Sequence, residues 1–161
     1  MISDNPRCLT FRFLAEPTDV NFNGKVHGGT VMKWIDQAGY ACAVRWSSCY
    51  CVTASIGGVE FLGPVRIGSL ITVAAQVVAT GRSSLRVVVS VSARDLRSSE
   101  EQLTTHCTMV FVALDDAGKP TPVPAFTAQN PEEHRLAELS VRISKLSQQL
   151  QAEMRQGYGL S

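Results

Sequence analysis

Asp36 is the residue whose position most strongly suggests chemistry. It lies in the stretch from Gly28 to Arg45, which is apolar at nearly every position and carries Lys33 as its only other internal charge. This pattern predicts one largely buried helix, with Asp36 about two turns from its start and so too far in to cap it. A carboxylate among apolar groups costs free energy unless it is paired or used. Asp36 is therefore either the i, i+3 partner of Lys33 on an exposed stripe or a functional carboxylate.

The residues just before this helix offer groups that complement a carboxylate. Gly28 and Gly29 begin the helix, so its free N–H groups and partial positive charge can be approached closely. Such donors stabilise the oxygen of a carbonyl that becomes an oxyanion during acyl transfer. Asn21, in a turn seven residues earlier, can orient a water or a carbonyl. Paired glycines also begin ordinary tight turns, so the structural alternative stays open.

Other polar residues give weaker signals. His27 precedes the glycines, where packing or capping is the commoner role. Ser83 and Ser84 follow Arg82 in a turn that is typical of a plain hairpin and equally able to bind phosphate. They lack the sequence context of a serine nucleophile. Cys42 has no histidine at a spacing that suits a thiol nucleophile.

Apolar runs separated by turn residues predict the elements that position these groups. A first strand is expected over 8–15, followed by a turn-rich segment and then the helix. Four further strands follow, at about 51–61, 69–79, 84–95 and 102–114. Their short connections favour antiparallel neighbours, because parallel pairing needs a long crossover. The predicted fold class is α+β, a curved antiparallel sheet with one long helix.

The residues after the last strand predict a proline-rich linker and a second helix. Asn130 can cap this helix, Pro131 suits its first position, and Glu133 is placed to complete a capping box. Leucine and isoleucine residues at 3–4 spacing then favour docking on the body over self-association between subunits. We expect two units, a domain over 1–125 and a C-terminal helical extension over 126–161.

Composition excludes several functional classes. Of the 161 residues, 45% are hydrophobic and 18% charged, which predicts a well-filled core. A net charge of +1 argues against a nucleic-acid partner. No apolar run approaches the roughly 20 residues of a membrane span, and residues 1–7 have no signal-peptide character. Five cysteines without a C-x-x-C pair, and three scattered histidines, predict reduced thiols and no metal site. A cytoplasmic protein without membrane insertion is expected.

Apolar side chains occur on both faces of the later predicted strands. The runs 85–91 and 109–114 carry bulky groups at successive positions, whereas an antiparallel sheet with one wet face should alternate more cleanly. One helix covers only one face. The remaining apolar surface predicts a homo-oligomer.

A longer pattern joins the candidate residues. Asp19, Asn21 and Gly24 precede Gly28 and Gly29, and Asp36 follows seven residues after Gly29. In this order they resemble the signature of hotdog-fold acyl-CoA thioesterases, most closely the brain acyl-CoA hydrolase and its bacterial relatives. Further short segments that resemble the family follow in the family's order: 52–55, 59–61, 64–65, 81–85, 112–115 and 118–120. The resemblance as a whole covers about residues 8–125.

The resemblance implies a hotdog fold and an acyl-CoA substrate. Hotdog domains of this family pair through their sheets into dimers and often into trimers of dimers. The counterparts of Asn21 and Asp36 form the active site at a subunit interface, one from each protomer. No cofactor is implied, because coenzyme A is part of the substrate. The residues that the resemblance assigns to substrate and coenzyme A binding are His27, Thr53, Val59, Glu60, Phe61, Arg82, Ser83 and Ser84.

The implied reaction is hydrolysis of an acyl-CoA thioester to a carboxylic acid and coenzyme A. The carbonyl oxygen would face the N–H groups of Gly28 and Gly29, with Asn21 orienting the water or the carbonyl. Asp36, desolvated, would act as general base or as nucleophile, and the sequence leaves this choice open. The acyl chain would run along the apolar helix. A non-catalytic acyl-CoA sensor, or a different hotdog thioesterase or hydratase, is the alternative.

Overall fold

Five antiparallel strands and two helices make up the part of the chain that the computed structural model describes, residues 5–159. The strands are β1 (Cys8–Leu14), β2 (Tyr50–Phe61), β3 (Leu70–Thr80), β4 (Ser84–Arg94) and β5 (Glu101–Leu114). The helices are α1 (Gly28–Ser47) and α2 (Pro131–Tyr158), and a short 3₁₀ turn covers Pro17–Asp19. Every predicted strand is present within two residues of its expected bounds, because the turn residues that punctuate the sequence end the strands.

The strands form a single sheet in the order β1-β3-β4-β5-β2, and all neighbouring strands are antiparallel. The chain crosses the whole sheet between β1 and β2, and α1 is that crossing. The predicted hotdog architecture is confirmed. β2 lies at an edge with 12 residues, so one side of this long strand has no neighbouring strand within residues 5–159.

The core lies between α1 and one face of the sheet. Inward-facing residues of β3, β4 and β5 alternate with outward-facing ones. Phe111 and Met109 of β5 are fully buried in the same hydrophobic cluster as Ile35 and Ala38 of α1. Gly39 sets how closely the helix approaches. A Cβ there would lie 2.8 Å from the Met109 sulfur and 3.0 Å from the Phe111 ring, so the absence of a side chain permits this contact.

α1 is buried along one face only. Lys33, Asp36, Gln37 and Tyr40 are exposed, which corrects the expectation of a helix buried nearly all round. The reason is geometric: a single sheet can cover only one side of a helix. The opposite side of α1 stays open beside the β2 edge in one chain.

α2 docks on the sheet face opposite α1. Ser140 and Ser144 are buried, and the Arg86 guanidinium donates to the Ser144 hydroxyl at 3.0 Å. The predicted docking is confirmed for the N-terminal half of α2, which contains these two serines. Residues 148–158, in the C-terminal half, are exposed on every side. No helix in residues 5–159 is long and apolar enough to cross a membrane.

The start of α2 is fixed by Asn130 and Glu133. Asn130 caps the helix as predicted, its Oδ1 accepting from the Glu133 N–H at 2.9 Å. The reciprocal half of the predicted capping box does not form. Glu133 Oε2 instead accepts from the Arg7 guanidinium at 2.6 Å and from the Gln129 N–H at 2.7 Å. Arg7 also lies over the ring of Phe126, 4.9 Å from its centroid, so this ion pair ties the N-terminal segment to α2.

We expect Arg7→Met to lower the free energy of unfolding by about 1.5–3 kcal/mol, because the Arg7–Glu133 pair is charge-assisted and only 12% exposed on each side chain. Urea unfolding followed by circular dichroism measures the change. Arg135→Met is the matched control, since the Arg135–Glu132 pair is solvent-exposed and its loss should change stability little. Equal effects of the two substitutions would contradict this assignment.

Candidate active site

A cavity of about 390 Å³ lies at the N-terminus of α1. The loop before α1 forms one wall, the end of β2 forms another, and β5 contributes one residue. Its lining combines polar and apolar groups: Asn21, Lys25, Val26, Gly28, Val31, Phe61, Leu62, Gly63, Pro64, Val65 and Thr105. Three of the predicted site residues, Asn21, Gly28 and Phe61, therefore meet at one place.

The start of α1 is open and rich in hydrogen-bond donors. The first N–H with a helical partner is that of Val31, which donates to the carbonyl of His27 at 3.1 Å. Within residues 5–159, the N–H groups of Gly28, Gly29 and Thr30 have no partner. Neither glycine has a positive φ, and a Cβ on Gly29 would meet nothing within 4 Å. The glycines thus leave room for a group from outside this chain, and the helix N-terminus favours a negative one.

The Asn21 side chain is held in one orientation by its own loop. Its Oδ1 accepts from the backbone N–H groups of Asn23 at 2.8 Å and Lys25 at 3.1 Å. Because backbone N–H groups only donate, this oxygen must be the atom that faces them. The NH₂ group has no hydrogen-bond partner within residues 5–159. Asn21 therefore supplies hydrogen-bond donors to the cavity.

Asp36 lies on the exposed side of α1, next to β2. The Thr53 hydroxyl donates to Asp36 Oδ1 at 2.7 Å. Within the described residues no ion pair joins Asp36 to Lys33, which corrects the structural alternative raised by the sequence. In one chain both Asp36 and Thr53 are exposed, so the expected desolvation of Asp36 is not provided by this chain alone. A neighbouring molecule would have to cover this carboxylate to remove it from water.

One chain does not bring Asn21 and Asp36 together. Asp36 follows Gly28 by eight residues, which is about 12 Å along an α-helix. On β2, Thr53 and Phe61 are also eight positions apart, roughly 25 Å along a strand. The polar groups therefore form two clusters. The donor cluster contains Asn21 and the α1 N-terminus, and the carboxylate cluster contains Asp36 and Thr53.

The remaining predicted binding residues are distributed between the two ends of β2. Ser84 pairs with Val112, which pairs in turn with Val52, so the turn 81–84 lies level with the carboxylate cluster. Arg82 in this turn is exposed, with no ion-pair partner among residues 5–159.

The other end of β2 carries the predicted residues 59–61, and only Phe61 lines the cavity. Val59 is half-buried against the core. Glu60 lies 3.5 Å from the His106 ring nitrogen. The His27 ring, at the N-cap of α1, makes an edge contact with Phe22 and no capping hydrogen bond.

Thr105 is a cavity residue that the sequence analysis did not identify. Its hydroxyl is buried and has no hydrogen-bond partner within residues 5–159. A signal was present in the sequence. Thr105 takes an inward-facing position of β5, where alternate residues are Cys107, Met109 and Phe111, so a hydroxyl interrupts an apolar face.

The cysteines do not form a nucleophilic or metal-binding group. All five are free thiols, and burial raises the pKa of Cys42 to about 12 and that of Cys107 to about 11. Such thiols are protonated and unreactive near neutral pH. Residues 5–159 contain no group of three His, Cys, Asp or Glu side chains placed to hold a metal ion.

Comparison with known proteins identifies the family. The acyl-CoA thioester hydrolase YciA of Salmonella typhimurium is 32% identical over 119 residues, which are 72% of this chain and 90% of that protein. A family model described as the thioesterase superfamily matches residues 23–100. The chain belongs to the thioesterase superfamily.

Solved structures of thioesterases have the same fold as this chain. An apo-hexameric acyl-CoA thioesterase has a TM-score of 0.86 and 33% identity, covering 90% of this chain and 93% of its own. An acyl-CoA hydrolase from Staphylococcus aureus, in complex with butyryl coenzyme A and coenzyme A, has a TM-score of 0.85 and 28% identity, covering 94% and 93%.

We expect at most two thiols of the native protein to react quickly with a thiol reagent at pH 8. These are the thiols of Cys8 and Cys49, which are only half-buried. Burial raises the pKa of Cys8, Cys42, Cys51 and Cys107. Cys42, Cys51 and Cys107 are also shielded from the reagent because their side chains are buried. Labelling with a chromogenic disulfide reagent, with and without denaturant, counts them. The native count should rise as the pH approaches 11, and five fast thiols at pH 8 would contradict the prediction.

Proposed function

We propose that this protein hydrolyses acyl-CoA thioesters to a carboxylic acid and coenzyme A. The observation that carries this proposal is the open N-terminus of α1 with the Asn21 amide beside it, because together they supply donors for a carbonyl oxygen. The named relatives in the thioesterase superfamily are acyl-CoA thioester hydrolases, which supports this reaction and substrate class.

The spacing of three residues supports the choice of site. The Staphylococcus aureus hydrolase has solved variants in which an asparagine, an aspartate and a threonine are each replaced by alanine. In that chain the asparagine and the aspartate are 15 positions apart, and the aspartate and the threonine are 17 apart. Asn21, Asp36 and Thr53 have the same two separations. We therefore assign the three to one reaction centre.

In the proposed mechanism the thioester carbonyl lies over the start of α1. The N–H groups of Gly28 and Gly29 and the Asn21 amide donate to its oxygen, and these donors bind it more strongly as negative charge develops during attack. Since Asn21 Oδ1 is already used within its loop, the side chain stabilises the carbonyl oxygen rather than accepting from a water. This assigns one of the two roles that the sequence left open.

Asp36 supplies the base or nucleophile. Thr53 donates to one carboxylate oxygen at 2.7 Å, which fixes the carboxylate and leaves Oδ2 for the reaction. Thr53 is thereby a positioning residue for Asp36. Whether Asp36 removes a proton from water or attacks the carbonyl carbon directly stays open, because both paths need the same placement.

A second subunit completes the proposed site. The donor and carboxylate clusters are apart in one chain, the 12-residue β2 has a free edge, and Tyr40 and Tyr50 form an exposed aromatic pair at 6.2 Å beside it. Pairing of two β2 edges would cover Asp36 and bring it to the partner's donor cluster. We propose a homodimer assembled further into a trimer of dimers, supported by the hexameric thioesterase relative.

Coenzyme A binding is proposed for the exposed surface around the two clusters. Arg82, with Ser83 and Ser84, offers a cation and two hydroxyls for phosphate. Phe61 lines the cavity, and His27 precedes the lining residue Gly28 at the N-cap of α1. Val59 and Glu60 stay in the proposal through the family resemblance alone, since neither lines the cavity.

The domain organisation and the cellular location of the protein follow from the same features. We divide the chain into a catalytic domain over 1–125 and a helical extension over 126–161, because α2 contributes nothing to either cluster. We propose that the reaction uses no cofactor beyond the coenzyme A of the substrate. A cytoplasmic location is supported by the cytosolic acyl coenzyme A thioester hydrolase of Mus musculus, of whose length this chain spans 30%.

We expect Asp36→Asn to lower turnover of acyl-CoA at least ~10²-fold, because the amide keeps the hydrogen bond from Thr53 and cannot act as a base. Released coenzyme A is measured by chromatography across acetyl- to palmitoyl-CoA, since the native thiols interfere with thiol reagents. Asp116→Asn, in an exposed turn, is the matched control. Full turnover by Asp36→Asn would exclude the assigned role. Binding of acyl-CoA by the wild type without any turnover would favour the sensor alternative.

Mixing two inactive variants tests the shared site. If Asn21 and Asp36 act across subunits, a dimer of one Asn21→Ala chain and one Asp36→Ala chain contains one site with both residues intact. Coexpression of the two variants should therefore restore about a quarter of wild-type activity, given random pairing. If both residues act within one chain, every site in that mixed dimer lacks one of them, and no activity would return.

A further inference from the structure

α2 crosses the outer face of the sheet, the face opposite α1, from β3 towards the β2 edge. Its first turn is tied through Glu133 to Arg7, whose carbonyl accepts a hydrogen bond from β3. Ser144, further along, is bonded to a side chain of β4, and Ser147 lies against β2. Because β2 is an edge strand, the helix residues after Ser147 continue past the sheet. We call these residues, 148–158, the overhang.

A glycine lies where α2 crosses the edge strand. A Cβ on Gly57 of β2 would lie 2.6 Å from the Ser147 hydroxyl oxygen and 3.7 Å from the Ile143 side chain. The lack of a side chain at Gly57 therefore leaves room for α2 to cross β2 at close range. This packing sets the path of the helix at the edge, and so the direction in which the overhang leaves the sheet.

The face of α2 that packs on the sheet continues along the overhang. Leu150, Met154 and Tyr158 follow Ile143 and Ser147 at intervals of three or four residues, so all five lie on one side of the helix. Ile143 and Ser147 lie against β2, whereas the three overhang side chains are exposed. The opposite side of the overhang carries glutamine and glutamate residues. An apolar face thus continues, uncovered, where the sheet of one chain ends.

A second subunit paired at β2 would place its own sheet beneath this face. Two paired edge strands continue the sheet into the neighbouring subunit, with strands about 4.8 Å apart. The overhang extends about 16 Å along the helix axis, enough to cross two or three strands. From the strand order, the first two strands that it would cross in the second subunit are β2 and β5.

We infer that the overhang packs on the outer face of the second subunit's sheet and stabilises the dimer; the inference rests on the β2 pairing of the proposed function. In a two-fold symmetric dimer each subunit extends one overhang onto the other. Leu150, Met154 and Tyr158 are the contact residues, and their removal from water favours association. The overhang takes no part in the reaction.

Leu150→Glu combined with Met154→Glu tests this contact, because association would have to bury two carboxylates. Both positions are exposed in one chain, so each subunit should fold as before, with unchanged helical content by circular dichroism. Exchange of single subunits between isotope-labelled and unlabelled protein, followed by native mass spectrometry, reports the dissociation rate. It should be at least about tenfold faster than in the wild type.

Gln149→Glu combined with Gln156→Glu is the matched control. It adds the same two charges to the overhang, on the opposite side of the helix, where both glutamines are exposed. Its exchange rate should stay close to that of the wild type. A wild-type exchange rate in the Leu150 and Met154 variant, or an equal increase in both variants, would overturn the inference.

Cross-linking identifies the strands that the overhang contacts. A benzophenone side chain introduced at Met154 should cross-link to β2 or β5 of the other subunit, and cross-links confined to its own chain would overturn the inference.

Neither measurement needs catalysis, so the two proposals fail separately. If the Leu150 and Met154 variant exchanges faster but the wild type turns over no acyl-CoA, the proposed function fails and the inference stands. If mixed Asn21→Ala and Asp36→Ala chains regain activity but the Leu150 and Met154 variant exchanges at the wild-type rate, the inference fails and the shared site stands.

Discussion

The close packing of α1 on the sheet is the constraint on which the candidate site depends. Gly39 lies so near Met109 and Phe111 that no side chain fits between helix and sheet. This contact fixes the height of α1 above the strands, and the core residues fix its direction. The N-terminus of α1 is thereby held against the ends of β2 and β5, where Phe61 pairs with Thr105. An oxyanion site needs such rigid placement, because its donors act only over hydrogen-bond distances.

The same packing explains why the polar groups fall into two clusters. A helix that crosses a sheet presents its N-terminus at one end and its middle further along, so Gly28 and Asp36 are separated by about 12 Å. Thr53 holds Asp36 from the neighbouring strand at the edge of the sheet. Each chain thus presents two separate polar clusters, and the β2 edge lies beside the carboxylate cluster. In the proposed function, oligomerisation and catalysis are therefore linked.

The loop before α1 defines the chemistry of the donor cluster. Its turn is closed by hydrogen bonds from the N–H groups of Asn23 and Lys25 to Asn21 Oδ1. The same two bonds that shape the backbone leave the amide NH₂ as the outward polar group. A single asparagine therefore has a structural and a proposed catalytic role, and an aspartate could replace it in the first role only.

The sequence by itself determined the elements and most of the candidate residues. Strand and helix bounds follow from local turn residues and apolar periodicity, which act over a few positions, and the resemblance of the segment 19–36 indicated the family. The exposure of Asp36, its bond to Thr53 and the single orientation of Asn21 required the tertiary structure, as did the unpaired hydroxyl of Thr105. These properties depend on which groups distant in sequence lie within about 3 Å of one another, and that proximity is decided by packing.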